Sequence, residues 1–510
     1  MSGSIATLLY AALIMALFWL DSGQRPRATI ARWFPTIFWS LPGSRQAYQS
    51  VETQRPGRDA RASPALWIPV IWFFLSASRS ASEWFQSAPP GMSAETLLEG
   101  DPINRIVYAS LVALALLVLA FRAQKIVRLL QANVLVLVFL LYCALSLSWA
   151  EHPDVGFKRW IKLFGDLAMV LIVASERDPS LAIRQLLTRT GFLLIPISML
   201  MIKYYPNLAR YYDRWEWETY YSGATTNKNA LGVLCLLFGL ASAWQFLAAL
   251  FGPDRTGWVR RLIAHGVILA MVAWLFSLAS SMTAVSCFCV GLGVLVGVGL
   301  RLIGRRPWTA LVVEFRPLVR GTFMLNALIA LLIAVPTTVL LVGVESILLM
   351  LGKNPTLTDR TLIWNLVLSL SPDAWFGTGF ENFWLGSRLD KIWSAYSWKP
   401  NQAHNGYIET YLNLGLIGVA LLVSILAVGY HTVMSGLRRF PSMGGLMLAY
   451  FAMAIVFNIT EAAFFRISTP VWFVLLLAIT KIPDFPGPKT LRFEANRGVR
   501  KHAVAVARNI

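Results

Sequence analysis

The chain has 510 residues, of which 56% are hydrophobic and only 14% charged, against about 25% charged in soluble domains. A mean hydropathy of +0.59, with 20 Trp and 29 Phe, exceeds what soluble cores bury and excludes the disordered, collagenous and disulfide-rich secreted classes. The formal net charge of +19 is then read as the basic loops of a membrane protein, not as a nucleic-acid surface.

A spanning helix needs roughly 20 mostly apolar residues. In chain order such stretches lie near 5–20, 64–78, 106–121, 132–149, 161–175, 185–202, 229–250, 262–279, 284–300, 322–343, 406–428, 442–459 and 468–482. They predict an all-α polytopic membrane protein with about 12–13 transmembrane helices and a long periplasmic loop. The first span is short, so a re-entrant or interfacial placement stays open. Its start, Met1-Ser2-Gly3-Ser4, lacks the basic residue of a secretory signal. The expected organisation is a short membrane helix (1–21), a basic cytoplasmic loop (22–63), a helix bundle (64–343), a large periplasmic loop (344–404), C-terminal spanning helices (405–482) and a basic cytoplasmic tail (483–510). The tail suits anionic lipid.

Arg25, Arg27, Arg32, Arg45, Arg55, Arg58 and Arg61 put the segment after the first span in the cytoplasm. Alternation through the later spans leaves Arg122, Lys125, Arg128, Arg260, Arg261, Arg438 and Arg439 on the same side. It gathers 203–228, 280–283, 345–403 and 460–467 on the outer face. Cys143, Cys235, Cys287 and Cys289 fall in apolar runs and read as packing residues, with no metal or disulfide spacing.

The outer segments carry the polar chemistry. Residues 203–228 interleave Tyr220, Tyr221, Trp217, Arg210 and Arg214. Such a loop suits glycan stacking, or equally an interfacial aromatic belt. Asn227-Lys228-Asn229 stands where a helix begins. A lysine there opposes the helix dipole unless an anion is bound, which makes Lys228 a candidate phosphate ligand. In the long loop, Arg360 precedes Trp364 on an amphipathic stretch, and arginine suits bidentate phosphate recognition. A surface pair with Asp359 or Glu381 is the plainer reading. Gly377 and Gly379 suggest a turn. His404-Asn405-Gly406-Tyr407-Ile408-Glu409 opens a spanning helix. His404 suits a general base, or a capping residue, and Glu409 is ionisable at membrane depth. Asp166 is buried mid-span and reads as a paired structural carboxylate, with a proton relay as the other option. The sequence has no Asp-x-Asp pair, Walker loop or His/Glu metal cluster, which argues against nucleotide-sugar enzymes, ATPases and metal sites. No internal repeat supports an inverted-repeat transporter.

Four motifs in order resemble the bacterial O-antigen ligase and polymerase superfamily, especially its exopolysaccharide-polymerase (ExoQ-like) branch. They are Gly223–Gly232 with Asn227-Lys228-Asn229, the turn Ser280–Thr283, Arg360-Thr361-x-x-Trp364 with Gly377-x-Gly379, and His404-Asn405-x-Tyr407-x-Glu409 with Gly415-Leu416-Ile417-Gly418. The resemblance implies an inner-membrane, multi-pass glycosyltransferase working at the periplasmic face, without cofactor or metal. It would move glycan from undecaprenyl diphosphate to an acceptor glycan, and it adds a chain-length regulator as a partner. By that resemblance Arg360 and Lys228 bind diphosphate, with Arg210, Arg214 or Arg466 as a further cation. His404 is the base or acceptor-orienting group, supported by Glu409. Tyr220, Tyr221, Trp217, Trp364, Asn405 and Tyr407 contact glycan. Where many ligases carry an arginine, this chain has Ser281-Met282-Thr283. A ligase acting on a lipid or protein acceptor and a flippase of lipid-linked sugar are the alternative functions.

Overall fold

The computed structural model describes residues 3–22, 62–86, 101–212, 218–252, 257–303, 358–371, 373–396, 399–466 and 469–483, without the side chains of 301–303 and 358–362. The expected span 322–343 and most of the basic loop 22–63 and tail 483–510 lie outside them, as do Arg214 and Trp217.

The described chain is almost wholly helical. Its helices are α1 (Gly3–Ser22), α2 (Trp67–Ser76), α3 (Pro102–Phe121), α4 (Ala123–Ala132), α5 (Val134–Leu145), α6 (Pro153–Ala174), α7 (Pro179–Tyr204), α8 (Lys228–Phe251), α9 (Trp258–Ala279), α10 (Met282–Ile303), α11 (Thr358–Ser369), α12 (Gly386–Ala395), α13 (Gly406–Arg439), α14 (Pro441–Thr460) and α15 (Pro470–Ile479). Many starts are written locally. Asp101, Asp178, Asn227 and Asn405 each accept a backbone N–H of the first turn, and proline follows the first two. Such caps satisfy donors that a helix leaves open, and proline at the first position loses nothing.

Among the described residues, eight helices are long and apolar enough to cross a membrane: α1, α3, α7, α8, α9, α10, α13 and α14. They match eight expected spans, and the chain is a multi-pass all-α membrane protein. The remaining expected spans differ in form. The 132–149 stretch belongs to a pair bent by 87° at Asn133, so that α4 turns away from α5. The 64–78 and 468–482 stretches form shorter helices. The 161–175 stretch is the inner part of α6, whose first half carries Asp154, Lys158, Arg159 and Lys162.

α7, α8 and α14 form the buried centre, whereas α1 and α3 are largely exposed. That distribution is what a lipid-facing rim requires. α8 packs on α9 and α10, and α14 on α10 and α13. The Tyr450 hydroxyl of α14 donates to the Leu237 carbonyl of α8 at 2.9 Å.

Long-range polar contacts respect the expected sides. At one end Arg122 meets Glu176 at 2.7 Å, Asn133 exchanges hydrogen bonds with Lys481, and Trp244 donates to Ser442. At the other end Arg79 meets 222–225, Arg159 meets Glu381, and Thr460 meets Thr283. No described contact of this kind joins segments assigned to opposite faces. A cap of α11, α12 and the start of α13 covers this second end. It has its own apolar core of Val367, Phe383, Trp384, Leu389, Ile392, Ala403 and Leu412.

Candidate functional site

The cap is seated in a broken helix. Gly415 interrupts α13 with φ 63° and ψ −165°. Several of the backbone groups that this frees find partners outside the helix, as a low-dielectric setting demands. The N–H groups of Leu416 and Ile417 donate to Ala374 and Trp375 carbonyls at 2.9 and 3.3 Å. Leu412 O accepts from the amide and hydroxyl of Thr378, and Leu414 O accepts from Tyr142. Gly377 comes so close that a Cβ would meet Asn413 backbone at 2.6 Å, and a Cβ on Gly415 would overlap the Trp375 carbonyl. The two glycine motifs are therefore two sides of one junction. A side chain at either position would also be strained, since φ is positive at both.

Directly above this junction lie His404 and Glu409. Glu409 is 7% exposed. Its Oε1 accepts the Trp384 indole N–H at 2.6 Å and its Oε2 accepts the Ala403 amide at 3.0 Å. It thus clamps the residue preceding His404. The Trp364 indole donates to the Ala403 carbonyl at 2.7 Å from α11, so this peptide is held on both sides. His404 itself has φ 50°, a left-handed conformation that costs energy and is kept only where surroundings enforce it. Its Nδ1 lies 3.0 Å from Glu461 Oε2. Arg466 flanks the same loop, donating to Gln402 Oε1 at 2.7 Å and to the Asn401 carbonyl at 2.9 Å.

The described parts of the 203–228 segment lead into the start of α8. β1 (Arg210–Tyr212) and β2 (Thr219–Tyr221) pair antiparallel, with Tyr211 opposite Tyr220. The Lys228 ammonium sits 3.4 Å from the Tyr220 ring centroid, and its backbone N–H donates to the Tyr211 hydroxyl at 3.2 Å. This cation–π seat holds the lysine at the helix start that the sequence predicted. One turn on, Gly232 lets Ser281 approach so closely that a Cβ would meet the serine Cβ at 2.8 Å. Thr283 then bonds Thr460 at 3.3 Å, next to Glu461. The lysine motif, the Ser281 turn and the histidine pair are joined in this way by direct contact.

Arg79 has no signal in the sequence. It follows an apolar run and carries no motif. It donates to the carbonyls of Leu208, Gly223 and Thr225 and reaches Ser222 Oγ at 3.5 Å. Burial, opposed by nearby Glu83, lowers its pKa. Glu461 and Trp384 escape sequence reasoning for the same reason.

The other expected site residues are used within the fold. Arg210 donates twice to the Ile202 carbonyl at the end of α7, at 3.0 and 2.7 Å, where the helix dipole favours a cation. Tyr221 lies under that guanidinium at 5.5 Å. Asn405 caps α13 and donates to Ile459 O at 3.1 Å, and Tyr407 donates to Ile455 O at 3.3 Å. The backbone of Arg360 belongs to the first turn of α11, four residues before Trp364; its side chain lies outside the described residues. Asp166 accepts the Trp72 indole N–H at 2.7 Å, so its partner is an indole.

No family model matches the chain. It is 24% identical over 298 residues to the exopolysaccharide production protein ExoQ of Rhizobium meliloti (strain 1021), covering 57% of this chain. The chain spans 63% of that relative's length. This multi-pass membrane protein is thus similar, over that part of its length, to an exopolysaccharide production protein.

Proposed function

We propose that the chain is a membrane glycosyltransferase that polymerises lipid-linked repeat units into exopolysaccharide at the periplasmic face of the inner membrane. The acceptor sugar hydroxyl attacks the anomeric carbon of a polyprenyl-diphosphate-linked glycan. A new C–O bond forms, the bond from that carbon to the diphosphate oxygen breaks, and the hydroxyl proton passes to His404. Glu461 at Nδ1 orients the ring, so Nε2 takes the proton. Glu409 positions His404 through the Ala403 amide. Base assistance of this kind contributes roughly 10²–10⁴-fold.

Charge develops on the diphosphate as the sugar leaves. Lys228 and Arg360 hold it, and Arg466 beside His404 is a better third cation than Arg210, which faces the α7 terminus. Fixed cations in a partly dry site stabilise such charge, and removing any one of them costs about 10²–10³ in rate. Tyr220 and Tyr221 bind sugar, and a chain-length regulator is a fitting partner. The observation that carries this reading is the contact chain from Lys228 through Ser281, Thr283 and Thr460 to the Glu461–His404 pair, in a chain similar to an exopolysaccharide production protein.

Purified protein given lipid-linked oligosaccharide, with EDTA present, should build a ladder of lengthened glycans, and the His404→Ala variant should not. Full activity in that variant removes the base. Single-transfer products would favour a ligase, and translocation without lengthening a flippase.

A further inference from the structure

At the end of the bundle opposite the candidate site lies a second polar cluster that glycosyl transfer does not use. Asp21, in the last turn of α1, accepts from Arg184 Nη2 of α7 at 2.8 Å and faces His265 Nε2 of α9 at 3.3 Å. His265 is 1% exposed, and the Phe192 ring packs on it at 5.2 Å. Beside it is a cavity of about 10 Å³ lined in part by Thr188, Ser242, Gln245 and His265. Two buried atoms at this cavity, His265 Nδ1 and Gln245 Nε2, have no hydrogen-bond partner.

Their chemistry specifies an occupant. With a carboxylate at Nε2, the ring proton of neutral His265 belongs there, which leaves Nδ1 as an acceptor. Gln245 Nε2 is a donor. A cation would suit the first atom and be repelled by the second, an anion the reverse, and an apolar occupant would leave both unsatisfied. A water molecule donates to one and accepts from the other, and the volume is that of one water.

We propose that a single ordered water bridges His265 Nδ1 and the Gln245 amide. It extends the chain Arg184–Asp21–His265 to α8, so that α1 is docked on three helices of the bundle by one polar network. Such a tie suits α1, because apolar packing holds it weakly: Ala6, Leu17 and Phe18 are its buried residues.

The sign of a stability change tests this. In detergent-solubilised full-length protein, Gln245→Met removes one partner of the bridging water. The apparent Tm, followed by tryptophan fluorescence, should fall. If the cavity is dry, the same change relieves an orphaned donor and Tm rises or stays, which overturns the proposal. A cryo-EM map that resolves ordered water should show density within hydrogen-bond distance of both atoms in the unmodified protein. A map that resolves water elsewhere in the bundle but none here also overturns it, whether or not the variant folds. Neither readout depends on the glycosyltransferase reading.

Discussion

His404 Nδ1 and Glu461 Oε2 lie 3.0 Å apart although 57 residues of chain separate them. The two side chains come from loops at the starts and ends of different helices, and the contact ties the α13 start to the α14 end. A carboxylate at Nδ1 selects the tautomer whose Nε2 accepts a proton. Glu461→Gln keeps the shape but loses the charge that supports an imidazolium. Polymer formation should fall about 10²-fold with little change in donor KM, measured as initial ladder formation. Unchanged kcat would reduce Glu461 to a structural contact.

Glu409 receives an N–H on each oxygen, from Trp384 and from Ala403. Glu409→Gln must point an NH2 at one of these donors, so even this near-isosteric change breaks the clamp on His404. We expect a loss of about 10-fold or more in kcat, against roughly 1–3 kcal/mol of destabilisation for the buried mismatch. Trp384→Phe removes one donor only and should be milder. Equal activity in Glu409→Gln and the native chain would contradict the clamp.

Arg79 holds the carbonyls of Gly223 and Thr225 just ahead of Lys228. Arg79→Met should raise KM for the lipid-linked donor by about 10-fold, with Arg79→Lys recovering part of it, since lysine lacks the planar fork. Lys228→Met should act on donor binding and rate together, at about 10²-fold. Titration of donor at fixed acceptor separates the two.

Gly415 has φ 63° and Gly377 φ 67°. Gly415→Ala adds strain at a left-handed position and overlaps the Trp375 carbonyl. The cost should be at least ~2 kcal/mol, read as lower yield and lower apparent Tm. Gly299→Ala meets nothing within 4 Å and serves as the control expected to leave Tm unchanged.

Glu176 accepts from the Ser63 amide at 2.9 Å, the Ser63 hydroxyl at 2.6 Å and Arg122 at 2.7 Å. Burial pushes its pKa up, but the Ser63 and Arg122 contacts outweigh this and hold it below the ordinary value of 4.5. A carboxylate lowered in the folded state stabilises above its unfolded pKa and loses that contribution as pH falls through the folded one. Apparent Tm should therefore drop below about pH 4.5. Glu176→Gln should be less stable at neutral pH and lose less on acidification. Parallel acid profiles for the two proteins would refute this.

Most of the helices, and which loops share one end of the bundle, were legible in the amino-acid sequence by itself. Apolar runs, the prolines and Asx residues at helix starts, and the cationic bias of one set of loops are local or additive signals, and they also put Lys228 at a helix start and His404 at a membrane boundary. Hydropathy averages over a window, so it reads Leu414-Gly415-Leu416-Ile417 as uninterrupted helix and cannot register the break. It also gave no hint that Gly377 would fill that break, that Arg79 would support Lys228, or that Glu461 would face His404. Each of these is a pairing between distant segments, and a hydrogen bond across the bundle leaves no periodicity in either partner. Only packing of the helices brings such partners within reach, and burial then makes each one necessary, because an unpaired polar group in that environment costs more than the ordering of its partner.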